Sequence, residues 1–310
     1  MFTHRQKSYL ALFIICFVWG TTWVISKMVV ANISVLQLCG VRQFLAGLFM
    51  VSYFTFRGAG LPALKDWPRL LLMSVLMFMM SNGMSTWGIM YIPSGLGAII
   101  GAFTSFWIPV FVLLVLKKNV FNTRVVLGLL TGLAGIVTIF SENLGRFSNP
   151  NFVWGILLSV TATISWSLAT VLSMKKKESS RLYAETGWQM LISGLFFIPL
   201  SFALNQWTPL HHISAYTWGL MSYLIFAGSI LTFISYVYAI KHLPPARLSI
   251  YPYINPIVAV IFGLILLNEP VTTTLAIGAA ITLTGVYLVN EGSKAKKEVT
   301  AMPERDTPTA

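Results

Sequence analysis

Arg42 makes the strongest demand on its surroundings of any residue in this chain. It lies inside an apolar run from 36 to 56, and no acidic residue precedes Asp66. A cation buried at such depth in a bilayer costs ~3 kcal/mol on insertion scales, so it needs a partner. That partner is a substrate carboxylate or phosphate, a carbonyl freed at a broken helix, or an acidic side chain from elsewhere in the chain. Glu185 and Glu269 fall near the ends of apolar runs rather than in their middles, which favours an anionic ligand or exposed carbonyls. The chemistry implied is recognition, because a guanidinium presents a fork of donors matched to a carboxylate.

A second pattern is a polar and aromatic stripe. Ser159, Thr163, Trp166, Thr170 and Ser173 recur at spacings of 4, 3, 4 and 3, which puts all five on one face of a helix. An earlier stripe, Leu12, Cys16, Trp19, Trp23 and Ser26, repeats it. Indole rings near mid-membrane ask for polar neighbours, so the two stripes are expected to wall a shared cavity. Asn82 is the polar candidate of the third apolar run; Tyr251 and Asn255 lie one turn apart beside prolines in the ninth. Gln189 stands where Arg42 stands in the other half of the chain. The expected substrate-binding set is thus Trp19, Trp23, Arg42, Asn82, Thr163, Trp166, Gln189, Tyr251 and Asn255.

Prolines mark where helices can open, since each removes a donor and frees a carbonyl. Pro93, Pro109, Pro244, Pro252 and Pro256 are the expected hinges or gates. Glu185 is the candidate for ion coupling, and Lys27 is expected to snorkel to the outer surface. Met73, Met77, Met80 and Met84 form a stripe better explained by packing than by ligand binding. The four histidines all lie at or beyond the ends of apolar runs. Nothing therefore converges for acid-base catalysis or metal binding, and neither a metal nor another cofactor is expected. No rings of charge or filter loops suggest a channel.

The elements that must hold these residues follow from composition. Of 310 residues, 56% are hydrophobic and 10% charged, and the apolar residues come in blocks near the ~20 residues needed to span hydrocarbon. Ten helices are expected: 10–30, 36–56, 69–90, 95–116, 123–140, 152–174, 182–204, 216–240, 247–267 and 273–290. The chain also repeats itself. Trp19 aligns with Trp166 and Gly47 with Gly194 at a shift of 147, Gly135 with Gly285 at 150, and Pro93 with Pro244 at 151.

Five helices per copy is an odd number, so the second copy is inverted in the membrane. The expected organisation is a cytoplasmic N-terminus (1–9), a first repeat (10–140), an external linker (141–151), a second repeat (152–290) and a disordered cytoplasmic tail (291–310). Charge placement agrees: 18 of the 21 Lys and Arg residues fall in segments this scheme places inside, and Arg146 alone falls outside. This positive-inside bias makes the net charge of +12 a topology signal, not a nucleic-acid footprint. Cys16 and Cys39 read as small packing residues, not a disulfide.

Inverted repeats of this kind build carriers with a site near the midplane. The motifs that carry a family likeness are Trp19-Gly20-Thr21-Thr22, Lys27, Arg42, Tyr91-x-Pro93, His242-x-Pro244, Asn255-Pro256, and Glu269-Pro270 followed by Gly278 and Gly285. Through them the chain resembles the EamA-type branch of the drug/metabolite transporter superfamily. The resemblance implies a multi-pass transporter of small metabolites, commonly amino acids, in a bacterial-type cytoplasmic membrane. Helices one to four and six to nine would surround the cavity, with five and ten peripheral. One departure stands out: members often carry a glutamate at the end of the fourth helix, where this chain has Lys117-Lys118. The expected partners are a small-molecule substrate and the lipid bilayer, with the protein a monomer or homodimer.

Overall fold

In the computed structural model, residues 4–141, 144–173, 182–243 and 250–301 are described, and among them every extended element is helical. Nine helices in these residues are long and apolar enough to cross a membrane: α1 (Arg5–Val30), α2 (Val35–Ala59), α3 (Leu64–Gly88), α4 (Ser94–Leu116), α5 (Thr123–Ser141), α6 (Pro150–Ser173), α7 (Leu182–Ala203), α8 (Ala215–His242) and α10 (Thr273–Ser293). The apolar helix α9 (Tyr251–Leu267) is shorter and begins next to residues 244–249, which lie outside the described set. An all-helical membrane protein is the expected outcome where backbone polar groups cannot find water and must pair within one segment.

Local chemistry sets the helix starts. The Ser34 hydroxyl accepts from the Gln37 N–H at 3.1 Å and the Ser214 hydroxyl from the Thr217 N–H at 3.2 Å, each satisfying one orphan donor of a first turn. Pro93 closes the loop before α4 in an extended conformation. At the far end of the described residues, helical backbone continues from Thr273 to Ala301, including 291–301. Lys, Glu and Ala dominate that stretch, and their high intrinsic helix propensity prolongs α10 past the apolar run.

Two helices are widened at matching places. Ser74–Gly83 of α3 and Phe226–Leu231 of α8 form π-helical turns, in which the wider ladder leaves carbonyls poorly matched to their own helix. Lateral packing pairs the helices. α2 lies along α7, and α5 along α10, while α1 packs on α8 and α9 and α6 packs on α3 and α4.

Glycine makes the first two pairs possible. A Cβ on Gly47 or Gly194 would run into the backbone of Leu191 or Phe44, and Gly128, Gly135 and Gly285 are blocked in the same way between α5 and α10. The Gly128 and Gly132 face of α5 is thus occupied within the chain.

Candidate functional site

A cavity of about 160 Å³ lies between α1, α2, α3, α4, α6, α8 and α9. An engineered cavity of roughly 150 Å³ takes one benzene, so this one suits a single compact solute. Its wall mixes rings, hydroxyls and one charge: Trp19, Trp23 and Trp166 with Thr22, Ser26, Ser85, Thr86 and Thr163, and Arg42. Trp19, Trp23 and Ser26 come from one face of α1, and Ser159, Thr163 and Trp166 from one face of α6, as the helical spacing of the stripes predicts. Thr170 and Ser173 leave that wall. Thr170 bonds back to the Trp166 carbonyl at 2.8 Å, and Ser173 reaches the Met73 sulfur at 3.7 Å.

Arg42 reaches the cavity from α2 with only 4% of its surface exposed. Its Nε donates to the Ser229 hydroxyl at 2.9 Å and one terminal nitrogen donates to the Gly228 carbonyl at 3.4 Å. Both partners belong to the widened turn of α8. This realises the carbonyl alternative for Arg42's partner. Neutral oxygens satisfy part of the guanidinium, while no carboxylate among the described residues lies within ion-pairing distance of it. A buried cation with neutral neighbours keeps its attraction for an anion entering the cavity.

The indole of Trp19 holds the aromatic side together. Its ring lies 6.0 Å from Trp166, 5.3 Å from Phe233, 5.2 Å from Tyr236 and 5.5 Å from Tyr251, centroid to centroid, distances at which edge-to-face contact is favourable. The Asn82 side chain accepts from Gln43 at 3.4 Å, and its carbonyl accepts from the Ser85 and Thr86 hydroxyls at 3.0 and 2.7 Å. Asn255, with its amide turned so that nitrogen faces acceptors, donates to the Cys16 carbonyl at 2.7 Å and the Tyr251 carbonyl at 3.2 Å. It therefore ties α9 to α1 while lining the cavity.

Eight of the nine expected binding residues meet here; Gln189 does not. It is buried between α7 and α3, where its carbonyl accepts from Ser74 at 2.7 Å. The Arg42 side chain bonds to the π-turn of α8, whereas at Gln189 it is the backbone carbonyl that meets Ser74 in the π-turn of α3, and only Arg42 borders the cavity. Pro252 and Pro256 line the cavity, whereas Pro93 and Pro109 stand away from it; Pro244 lies outside the described residues. Glu185 faces Arg69 at 3.8 Å where α3 and α7 meet, remote from the cavity. Met73, Met77 and Met80 pack against Ala169 and its neighbours, and none of the four methionines of that stripe lines the cavity.

Lys27 corrects the expectation of snorkelling. Its Nζ donates to Glu269 at 2.9 Å and to the Ile92 carbonyl at 2.8 Å, because the loop after α9 returns an acidic group to the end of α1. Glu269 also accepts from the Ser94 N–H at 2.8 Å and the Ser94 hydroxyl at 2.7 Å. Partial burial pushes its carboxyl up, but Lys27 and both Ser94 donors outweigh that and hold it below its ordinary value. Sequence reasoning also missed Thr22, Ser81, Ser85, Thr86 and Phe233 as lining residues. Ser81, Ser85 and Thr86 flank Asn82, and that proximity was the available signal.

Comparison with known proteins agrees with this architecture. The profile of the EamA-like transporter family matches the chain twice, over residues 6–141 and 153–291. The uncharacterized inner membrane transporter YedA of Escherichia coli (strain K12) is 30% identical over 292 residues, covering 91% of this chain and 90% of its own. The uncharacterized transporter YvbV of Bacillus subtilis (strain 168) is 27% identical over 297 residues, 94% of each chain. The WAT1-related chloroplastic protein At3g02690 of Arabidopsis thaliana is 26% identical over 280 residues, 88% of this chain and 67% of its own. A solved crystal structure superposes with a TM-score of 0.66 over 94% of this chain and 98% of its own at 15% identity, which shows a shared fold and nothing about substrate.

Proposed function

Since this chain belongs to the EamA-like transporter family, we propose that it is a secondary carrier working by alternating access. It exports a small metabolite, an amino acid or a similar amphipathic compound, across the cytoplasmic membrane. One observation carries the reading: a compact cavity lined by three tryptophans, several hydroxyls and the guanidinium of Arg42, which pairs with no carboxylate among the described residues. Arg42 holds the carboxylate. The rings of Trp19, Trp23, Trp166 and Tyr251 take the apolar part, and Asn82, Thr163 and Asn255 supply polar contacts.

The carrier has ten spans in two inverted halves with both termini in the cytoplasm. Three features support that arrangement: the twofold match of the family profile, the reciprocal packing of α1 on α8 and α9 and of α6 on α3 and α4, and the inside placement of the basic residues. Two halves related in this way can exchange conformations and so exchange the open side. Pro252 and Pro256, beside Tyr251 and Asn255, let α9 bend at the cavity wall. Pro93 sets the entry to α4, and Glu185 is retained as a coupling candidate.

The test is an export panel. Cells carrying the wild-type protein or Arg42→Gln are loaded with amino acids, aromatic carboxylates and amphipathic drugs, and efflux is followed. The expected result is a carboxylate-bearing compound whose efflux rises with the wild-type protein and falls at least tenfold in Arg42→Gln at equal membrane abundance. Efflux that is the same for both proteins across carboxylate-bearing compounds would discard the assignment of Arg42.

A further inference from the structure

Lys27, Glu269 and Ser94 fasten three helices together at one end of the bundle. Lys27 is on α1, Ser94 opens α4 and Glu269 follows α9. The carboxylate receives the Lys27 ammonium at 2.9 Å, the Ser94 N–H at 2.8 Å, the Ser94 hydroxyl at 2.7 Å and the Gly95 N–H at 3.4 Å. It thus caps α4 at the positive end of that helix's dipole while neutralising the cation of α1. A Cβ on Gly263 would stand 2.7 Å from one Glu269 oxygen and 2.9 Å from the Ser94 hydroxyl, so α9 leaves room for this contact.

The opposite end of the bundle repeats the backbone but not the chemistry. α9 ends on Asn268 in the left-handed conformation (φ 51), with the Glu269 N–H donating to the Gly263 carbonyl at 3.1 Å. α4 ends in the same way on Lys117 (φ 56), with the Lys118 N–H donating to the Val112 carbonyl at 3.4 Å. At the shift of 151 that aligns Pro93 with Pro244, Lys118 is the counterpart of Glu269, and the charge is reversed. Ser94 aligns with Pro245, which has no N–H to give. Lys27 aligns, at the shift of 147 shared by Trp19 and Trp166, with the uncharged Met174. Pro245 and Met174 lie outside the described residues and enter by identity alone.

We infer that Lys27, Glu269 and Ser94 form a one-sided latch, which closes the cavity at the face where α1, α4 and α9 meet and which the aligned residues cannot build at the other face. The inference rests on the two-halved carrier proposed above. It makes the resting protein closed on the latch face, by that reading the outside, and open to loading from the cytoplasm. Transport requires the Lys27 to Glu269 contact to part once per cycle, while Lys118, a cation at the position of Glu269, cannot supply the carboxylate of such a contact at the other end.

The test reads accessibility and needs no substrate. Cys16 and Cys39, both buried, are replaced by alanine, and a single cysteine is placed at Ser85 in the cavity wall. A membrane-impermeant maleimide is then applied to intact cells and to inverted vesicles. Glu269→Gln should raise labelling several-fold from the latch face; Lys27→Met should raise it less, because the Ser94 cap survives, and Lys27→Arg should leave it near the starting rate. A rise in intact cells supports the latch together with cytoplasmic termini. A rise confined to inverted vesicles supports the latch and overturns that orientation. Unchanged labelling on both faces in Glu269→Gln and Lys27→Met, with the size-exclusion profile intact, overturns the latch and leaves the carrier reading to its own transport assay.

Discussion

Trp19 and Trp166 meet edge to face in the cavity wall, with centroids 6.0 Å apart and planes at 90°, although they align with each other at a shift of 147 in the sequence. The two halves of the chain therefore touch through corresponding residues. The rings are not equal in their surroundings: Trp19 also contacts Phe233, Tyr236 and Tyr251. Trp19→Ala should cost less than the ~3–5 kcal/mol of large aromatic deletions in packed cores, because the ring is only partly buried, and Trp166→Ala less again. Thermal unfolding in detergent gives the comparison, and equal losses would mean that the cluster is not centred on Trp19.

Ser229 positions Arg42. Ser229→Ala removes the bond to Nε and leaves the cation in place, so ~1.5–3 kcal/mol of a charge-assisted hydrogen bond is lost. The expected outcome is a raised half-saturating concentration with a smaller change in maximal rate, measured with the compound identified by the export panel. A loss confined to maximal rate would indicate that Ser229 acts in conformational change rather than in orienting the guanidinium.

Close helix contact predicts which glycines tolerate a methyl group. Gly47→Ala and Gly194→Ala drive a Cβ into the backbone of the facing helix, and separating α2 from α7 should cost several kcal/mol or prevent folding. Gly219 would have nothing within 4 Å of an added methyl, so Gly219→Ala should stay within ~0.5 kcal/mol of the parent. Melting temperatures of the three variants test this, and a Gly219→Ala protein as damaged as the other two would contradict it.

Acid should release the Glu269 contact. Its carboxyl titrates below the ordinary 4.5. The stability it adds is therefore complete above the unfolded value and is lost as pH falls through the lower folded value. Melting temperature should be level from pH 7 to about 5 on this account and drop below it, and Glu269→Gln should remove that part of the drop. A variant with the same acid profile as the parent would show that other groups dominate.

The sequence made the α1 and α6 walls legible because helical periodicity alone places Trp19, Trp23, Thr163 and Trp166 on two faces. Arg42 was legible because a deep cation is costly wherever it lies. Lys27 was misjudged for a physical reason: its partner is 242 residues away in a loop that follows α9, and sequence position cannot show that this loop folds back over α1. Gln189 was placed by analogy with Arg42, yet its helix turns that position toward Ser74 and away from the cavity. The widened turn in α8 carries no residue signature of its own, so the partners it offers Arg42 could only be found in three dimensions.

Solute counterflow tests the central claim most directly. Proteoliposomes are loaded with a high concentration of the unlabelled compound identified by the export panel and diluted into a trace of its labelled form. A carrier whose single site faces each side in turn must concentrate label transiently above its external level, and Arg42→Gln should abolish that overshoot. Label that rises only to equilibrium, with no overshoot, would contradict alternating access and make the cavity part of a pore.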